Sequence, residues 1–332
     1  MLHYRSDSRI LKAGFLFFNR FHTYKTSLLW LSLIFVLVFS IWMPIQGQEE
    51  AQFPLTVTDA LGREVTISEQ PQAIISLSPS VTETLFAIGA GPQVVGRTEY
   101  CNYPAEVESL PTVGGFSASS ISVETIVSLE PDLVILGTSH QAELVTPLEE
   151  SGITVFVVDA ISVNDIFDSI QILGEVTGHV DDAQQVINHM YSRIGAIAVK
   201  INTIPQDERL TVFYEVWHEP LMTTTAQTYI GELITLAGGV NIFNDLDESY
   251  PSISAEQIID SDPAVIMGPS SHGDQLTAEI IASRDGWSNL TAVAEENIYI
   301  IDGNIISHSG PRITDALEII TAQLYPKLFE SE

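Results

Sequence analysis

The chain has 332 residues, enough for two domains of ordinary size, and 45% of them are apolar. Its 43 acidic residues face only 13 Lys and Arg, for a formal net charge of −30, which argues against nucleic acid as a partner because a polyanion is repelled rather than steered in. Cys101 is the only cysteine, so no intramolecular disulfide is possible and the fold rests on its core.

Residues 1–27 carry Arg5, Arg9, Lys12, Arg20 and Lys25 against the single acid Asp7, and residues 28–43 are an uncharged apolar run. That run falls short of the roughly 20 residues that span a bilayer comfortably, so residues 1–47 read as a secretory signal, with an uncleaved anchor as the alternative. Beyond residue 47 the lysines are only Lys200 and Lys327, as suits a solubilising acidic surface in a salty medium.

In chain order, LTVTDALGREVTI (55–67) gives two short alternating runs joined by Asp59 to Gly62, a hairpin. AIISL (73–77) is a buried strand, Pro79 opens a helix continued by Val81 to Ile88, and VVGRT (94–98) is the next strand, delivering EYCNYP (99–104) at its carboxyl end. A helix near 141–150 and the strand TVFVV (154–158) follow, and this alternation predicts an α/β fold with parallel sheets and ligands at strand carboxyl ends.

Val163, Ile166, Phe167, Ile170 and Leu173 share one helical face, ended by Gly178. Asp181 is the expected cap of a second, longer helix that holds its apolar period from Ala183 to Ile201 and stops before Pro205. Alternation restarts at LTVFYEV (210–216), continues through YIGELITLAGG (229–239) and NIYIID (297–302), and closes with a helix from Pro311 through Leu328. The expected organisation is a segment 1–47, an N-terminal lobe 53–180, a bridging helix 181–203 and a C-terminal lobe 204–330.

One unit occurs twice. ISVETIVSLEPDLVI (121–135) and ISAEQIIDSDPAVIM (253–267) share Ile, Ser, Glu, Ile and Pro in register, and both read as a serine-capped helix, a proline and a buried strand. Glu124 and Glu256 fall in matching first turns, and His140 and His272 match a few residues past the strands. Acids in first turns are common for local reasons, but duplicated ones suit a contact with basic residues of a two-fold partner.

Aromatic and histidine side chains gather near expected strand ends: Tyr100, Tyr103, Phe116 and His140 in the first half, and Trp217, His218, Tyr250, His272 and His308 in the second. Aromatic faces with a few polar tips suit a large, flat ligand better than a small ion. A zinc site built from these histidines needs three or four converging ligands, and no H-x-x-x-H spacing supplies them; one of His140, His272 or His308 ligating a metal already held in a chelate is simpler. No G-x-S-x-G elbow, H-E-x-x-H, P-loop or Gly-rich dinucleotide turn is present, which leaves a metal-dependent hydrolase as the enzymatic alternative to a binding protein.

SLSPSVTETLFAIGAG (76–91), VVGRTEYCNYP (94–104), the two repeat copies, YIGELITLAGGVNIF (229–243) and GPRITDAL (310–317) resemble the cobalamin- and iron-siderophore-type substrate-binding proteins of ABC importers, over about residues 55–328. The resemblance implies two Rossmann-like lobes bridged by one long helix, with the ligand between them. It also implies an exported, non-enzymatic monomer without a cofactor, at the periplasm or the outer face of the cytoplasmic membrane.

By the same resemblance the ligand is a metal chelate, first a corrinoid such as cobalamin and second a ferric siderophore or haem. Tyr100 matches a corrin-contacting tyrosine, Phe116 and Tyr250 stand where cobalamin-binding members have tryptophans, and His308 stands at a usual arginine position; Trp217 and His218, placed by the strand-end clustering above, complete the expected lining. Glu124 and Glu256 match the glutamates that pair with arginines of the importer's membrane subunits.

Overall fold

The computed structural model describes residues 52–270 and 276–329, so the expected signal segment and His272 lie outside the described residues. Strands β1 (Leu55–Thr58) and β2 (Glu64–Ile67) pair antiparallel. Their turn is set by Asp59, whose Oδ1 accepts the N–H groups of Leu61 and Arg63 at 3.0 Å each.

The first large sheet is built from β3 (Ile74–Ser76), helix α1 (Pro79–Ala87), β4 (Val94–Arg97), α2 (Val123–Ser128), β5 (Leu133–Leu136), α3 (Val145–Glu150) and β6 (Thr154–Val157). Its strands run parallel in the order β4-β3-β5-β6. Every residue of β5 is buried, as the unbroken Leu-Val-Ile-Leu run demands of a strand covered on both faces.

Helix α4 (Val163–Thr177) starts on a reciprocal capping box between Ser162 and Asp165 and stops at Gly178, whose φ of 81° needs no Cβ penalty. The long helix α5 (Val180–Ile201) follows, about 33 Å from end to end. Its start corrects one expectation: His179, not Asp181, holds the cap position, and Asp181 and Asp182 lie in the first turn, where the helix dipole favours acids without a side-chain cap.

The second sheet comprises β7 (Thr211–His218), β8 (Leu221–Thr223), helix α6 (Tyr229–Leu236), β9 (Val240–Asn241), α7 (Ala255–Ser261), β10 (Val265–Pro269), α8 (Ala278–Ala282), α9 (Thr291–Ala294), β11 (Ile298–Ile301), α10 (Gly303–Ile306) and α11 (Ile313–Leu324). Strands β11, β10, β7 and β9 are parallel, and β8 turns back antiparallel on β7. Thus β7 runs past Val216, and Trp217 and His218 belong to a strand end and its hairpin rather than to a loop beyond it. The last helix ends at Leu324, not Leu328, because Pro326 cannot continue it and Tyr325 before it leaves the helical region.

A single apolar core runs from Ile74, Ile135 and Phe156 of the first sheet, through Ile166, Ile170 and Leu173 of α4 and Ile187 and Ile197 of α5, to Leu233, Leu317, Val212 and Met267 of the second half. Separate clusters around Ile126 and Leu148, and around Ile258 and Trp287, fill the outer side of each sheet. The two lobes therefore share buried packing along α4 and α5, and moving one against the other disrupts close-packed contacts.

Candidate functional site

The loop carrying Tyr100 is held by one buried arginine. Arg97 ends β4 and donates to four backbone carbonyls, those of Val107 (2.8 Å), Cys101 (2.9 Å), Thr98 (3.1 Å) and Glu108 (3.2 Å). A planar fork of five donors suits this task, which a lysine could not perform. Tyr100 and Tyr103 are thereby projected outward and exposed.

The neighbouring loop is pinned from below. Buried Gln141 donates to the carbonyls of Phe116 (2.8 Å) and Leu77 (2.9 Å), and the N–H of Gly115 donates to Ser120 O at 3.2 Å. The N–H of Glu99 donates to Gly114 O at 2.9 Å, so the Tyr100 and Phe116 loops form one unit, with Phe116 exposed at its tip. His140, also exposed, has its N–H on Thr138 Oγ1 at 3.3 Å.

In the second lobe the β7–β8 hairpin gathers the expected residues. Trp217 donates its Nε1–H to Glu219 O at 2.8 Å, and its ring lies against that of His218 with centroids 5.6 Å apart. The segment after Tyr250 adds to the same hairpin: Thr223 N donates to Pro251 O at 3.1 Å and Ile253 N to Leu221 O at 2.9 Å. Tyr250 keeps part of its ring exposed while its hydroxyl faces inward, and burial pushes its pKa up, moderated by a hydrogen bond with Thr228. Beneath it the buried Tyr214 hydroxyl has no hydrogen-bond partner among the described residues.

His308 lies where the lobes meet. Its Nδ1 is 2.8 Å from Glu83 Oε1, and Arg312 clamps the same carboxylate through Nε (2.7 Å) and Nη2 (2.5 Å). Burial pulls the Arg312 guanidinium down, but Glu83 outweighs it and the net shift is upward. The guanidinium also covers the Tyr103 ring at 4.1 Å, and Asn102 Nδ2 donates to Asn304 Oδ1 at 3.0 Å. The Tyr100–Tyr103 loop is thus tied to α10 and α11 of the other lobe.

Glu124 and Glu256 are both exposed in the first turns of α2 and α7, each behind a serine cap. Glu256 is held below the ordinary carboxylate range by its own backbone N–H and by the Ser254 hydroxyl. No group of three or more His, Cys, Asp or Glu is placed to hold a metal ion among the described residues.

Sequence reasoning missed Arg97, Gln141, Glu83 and Arg312, which brace the loops of the site. The available signals were an arginine ending an apolar strand in a chain poor in cations, and an acid within the apolar helix SVTETLFA.

A periplasmic binding protein family model matches residues 74–305. An uncharacterized ABC transporter substrate-binding lipoprotein of Bacillus subtilis is 34% identical over 85% of this chain and 89% of its own length. A cobalamin-binding protein of Halobacterium salinarum is 31% identical over 80% of this chain and 72% of its own. The crystal structure of the periplasmic vitamin B12 binding protein of Vibrio cholerae superimposes with a TM-score of 0.64 at 25% identity, covering 79% of this chain and 99% of that one. With this match across both sheets and the bridging helix, the chain belongs to the periplasmic binding protein family.

Proposed function

We propose that the chain is an exported substrate-binding protein of an ABC importer that captures a corrinoid between its two lobes and delivers it to the importer's membrane subunits, making and breaking no bond. The observation that carries this reading is the set of exposed aromatic rings in both halves, Tyr100 and Trp217 at the carboxyl ends of β4 and β7, and Phe116 and Tyr250 on segments bonded to the Tyr100 loop and to the β7–β8 hairpin. Exposed rings cost solvation unless a ligand covers them, and a macrocycle edged with amides needs both the flat faces and the hydroxyls that tyrosines supply. The cobalamin-binding name of the Halobacterium salinarum relative supports the same ligand class. Arg63, Arg97, Arg193, Arg284 and Arg312 each bond acids or carbonyls of this chain, while Glu124 and Glu256 lie exposed, which supports a docking contact whose basic groups belong to the partner.

In this reading Glu124 and Glu256 meet basic residues of two membrane subunits, His140 and His218 border the cleft, and the protein acts as a monomer at the outer face of the cytoplasmic membrane or in the periplasm. The test is uptake of labelled cobalamin in cells carrying the chain and its importer. Tyr100→Ala with Tyr250→Ala should lower capture by purified protein, while Glu124→Arg with Glu256→Arg should spare capture and abolish uptake; undiminished uptake by the charge-reversed protein refutes docking through these residues.

A second reading, haem in the same cleft, is favoured by the Glu83 carboxylate on His308 Nδ1, since such a partner orients an imidazole to ligate metal through Nε2. Loss of the haem absorbance shift in His308→Ala, with cobalamin binding unaffected, is the signature of that alternative.

A further inference from the structure

The duplicated helices match in more than their glutamates. Ser122 Oγ accepts the N–H of Thr125 at 3.1 Å, and Ser254 Oγ accepts that of Gln257 at 3.4 Å. Each helix is followed by an acid in the left-handed region, Glu130 at φ 49° and Asp262 at φ 39°. Each fully buries one isoleucine, Ile126 or Ile258, and leads into a strand holding the same place in its sheet, β5 between β3 and β6, and β10 between β7 and β11.

Directly after the buried isoleucine, each helix exposes an aliphatic side chain: Val127 at 41% and Ile259 at 37%. Three residues beyond the glutamate, it shares that glutamate's helix face. A single exposed aliphatic is ordinary and needs no explanation. Two of them at equivalent places in a duplicated unit, each beside the acid assigned to docking, form a repeated two-part patch.

We propose that Val127 and Ile259 are the apolar anchors of the docking contact, and that the partner is a pair of identical membrane subunits, each offering one basic side chain to the glutamate and one apolar recess to the aliphatic. This deepens the proposed function and rests on it. Two copies of this chain are poor occupants for each other, because joining these faces sets glutamate against glutamate. The roles divide: the glutamates steer encounter and set a salt-sensitive association rate, whereas the desolvated aliphatics set the dissociation rate.

The test measures association and dissociation of the purified chain with its importer's membrane subunits in lipid nanodiscs, at low salt and at 1 M NaCl. Val127→Ser with Ile259→Ser should leave the association rate within about twofold and speed dissociation roughly tenfold at both salt concentrations, in line with losing the burial of the exposed parts of two aliphatic side chains. Glu124→Gln with Glu256→Gln should slow association at low salt and flatten its salt dependence. Wild-type dissociation in the serine variant, while the glutamine variant is impaired, overturns the anchors and leaves glutamate docking standing; no change in either variant overturns both. Sedimentation showing a wild-type dimer that the serine pair dissociates would assign the face to self-association and overturn the proposal.

Discussion

Glu83 on α1 and Arg312 at the head of α11 form a two-point ion pair between the lobes, at 2.7 and 2.5 Å, and the Glu83 side chain is almost wholly buried. His308 adds a third contact on the same carboxylate. A buried carboxylate left without its cation is costly, so Arg312→Met should lower unfolding free energy by about 3–5 kcal/mol. Urea denaturation checks this, and the double variant with Glu83→Met should recover much of the loss, because no charge then remains buried unpaired.

The junction also governs how the Tyr100 loop meets the second lobe, and although His308 stands out in the sequence, its pairing with Glu83 and Arg312 does not. Glu83 and Arg312 are 229 residues apart, and no local pattern announces a contact that only the packing of α1 on the start of α11 creates. What was legible was local and periodic. The apolar spacing of α4 and α5, the serine caps of α2 and α7 and the fully apolar runs of β5 and β10 each follow from short-range chemistry and stand where that chemistry places them. The run LTVFYEV stops at Val216 and puts Trp217 and His218 beyond a strand, whereas pairing with β8 carries the ladder to His218. The apolar period that runs on to Leu328 does not keep α11 helical, because Pro326 stops it after Leu324.

Gly231 in the first turn of α6 approaches the Thr225 carbonyl so closely that an added Cβ would lie 1.9 Å from its oxygen. Gly231→Ala should therefore displace α6 and lower the melting temperature sharply, beyond the ~1–3 kcal/mol usual for overpacking. Gly195 on α5 has open space around it, so Gly195→Ala should stabilise by up to about 1 kcal/mol through helix propensity. Thermal unfolding of the two variants should move in opposite directions.

Glu318 on α11 hydrogen-bonds Arg193 of α5, which holds its carboxyl below the ordinary range. A depressed folded-state pKa contributes stability that is present above the unfolded carboxylate pKa and lost as pH falls through the folded value. Glu318 should titrate upward to the ordinary range in Arg193→Met, followed by NMR of the side-chain carboxyl. Its contribution should begin to fade as pH falls through the ordinary carboxylate range near ~4 and be gone only below the folded-state value.

With a formal charge of −30, the acidic surface repels itself. Raising NaCl from 0.05 to 1 M shortens the Debye length from above 10 Å to about 3 Å, so the melting temperature should rise with salt. A melting temperature that falls over this range would show that the internal arginine pairs outweigh surface repulsion.

Capture of a macrocyclic metal chelate by the exposed rings of both lobes is tested most directly by a visible-absorbance titration of the purified protein with cobalamin, with hemin and ferric siderophore in parallel. A saturable one-to-one spectral shift with cobalamin, weakened at least tenfold in Tyr100→Ala with Tyr250→Ala, is the predicted result. Absence of any saturable shift with all three, or a cobalamin shift untouched by the double substitution, would contradict it.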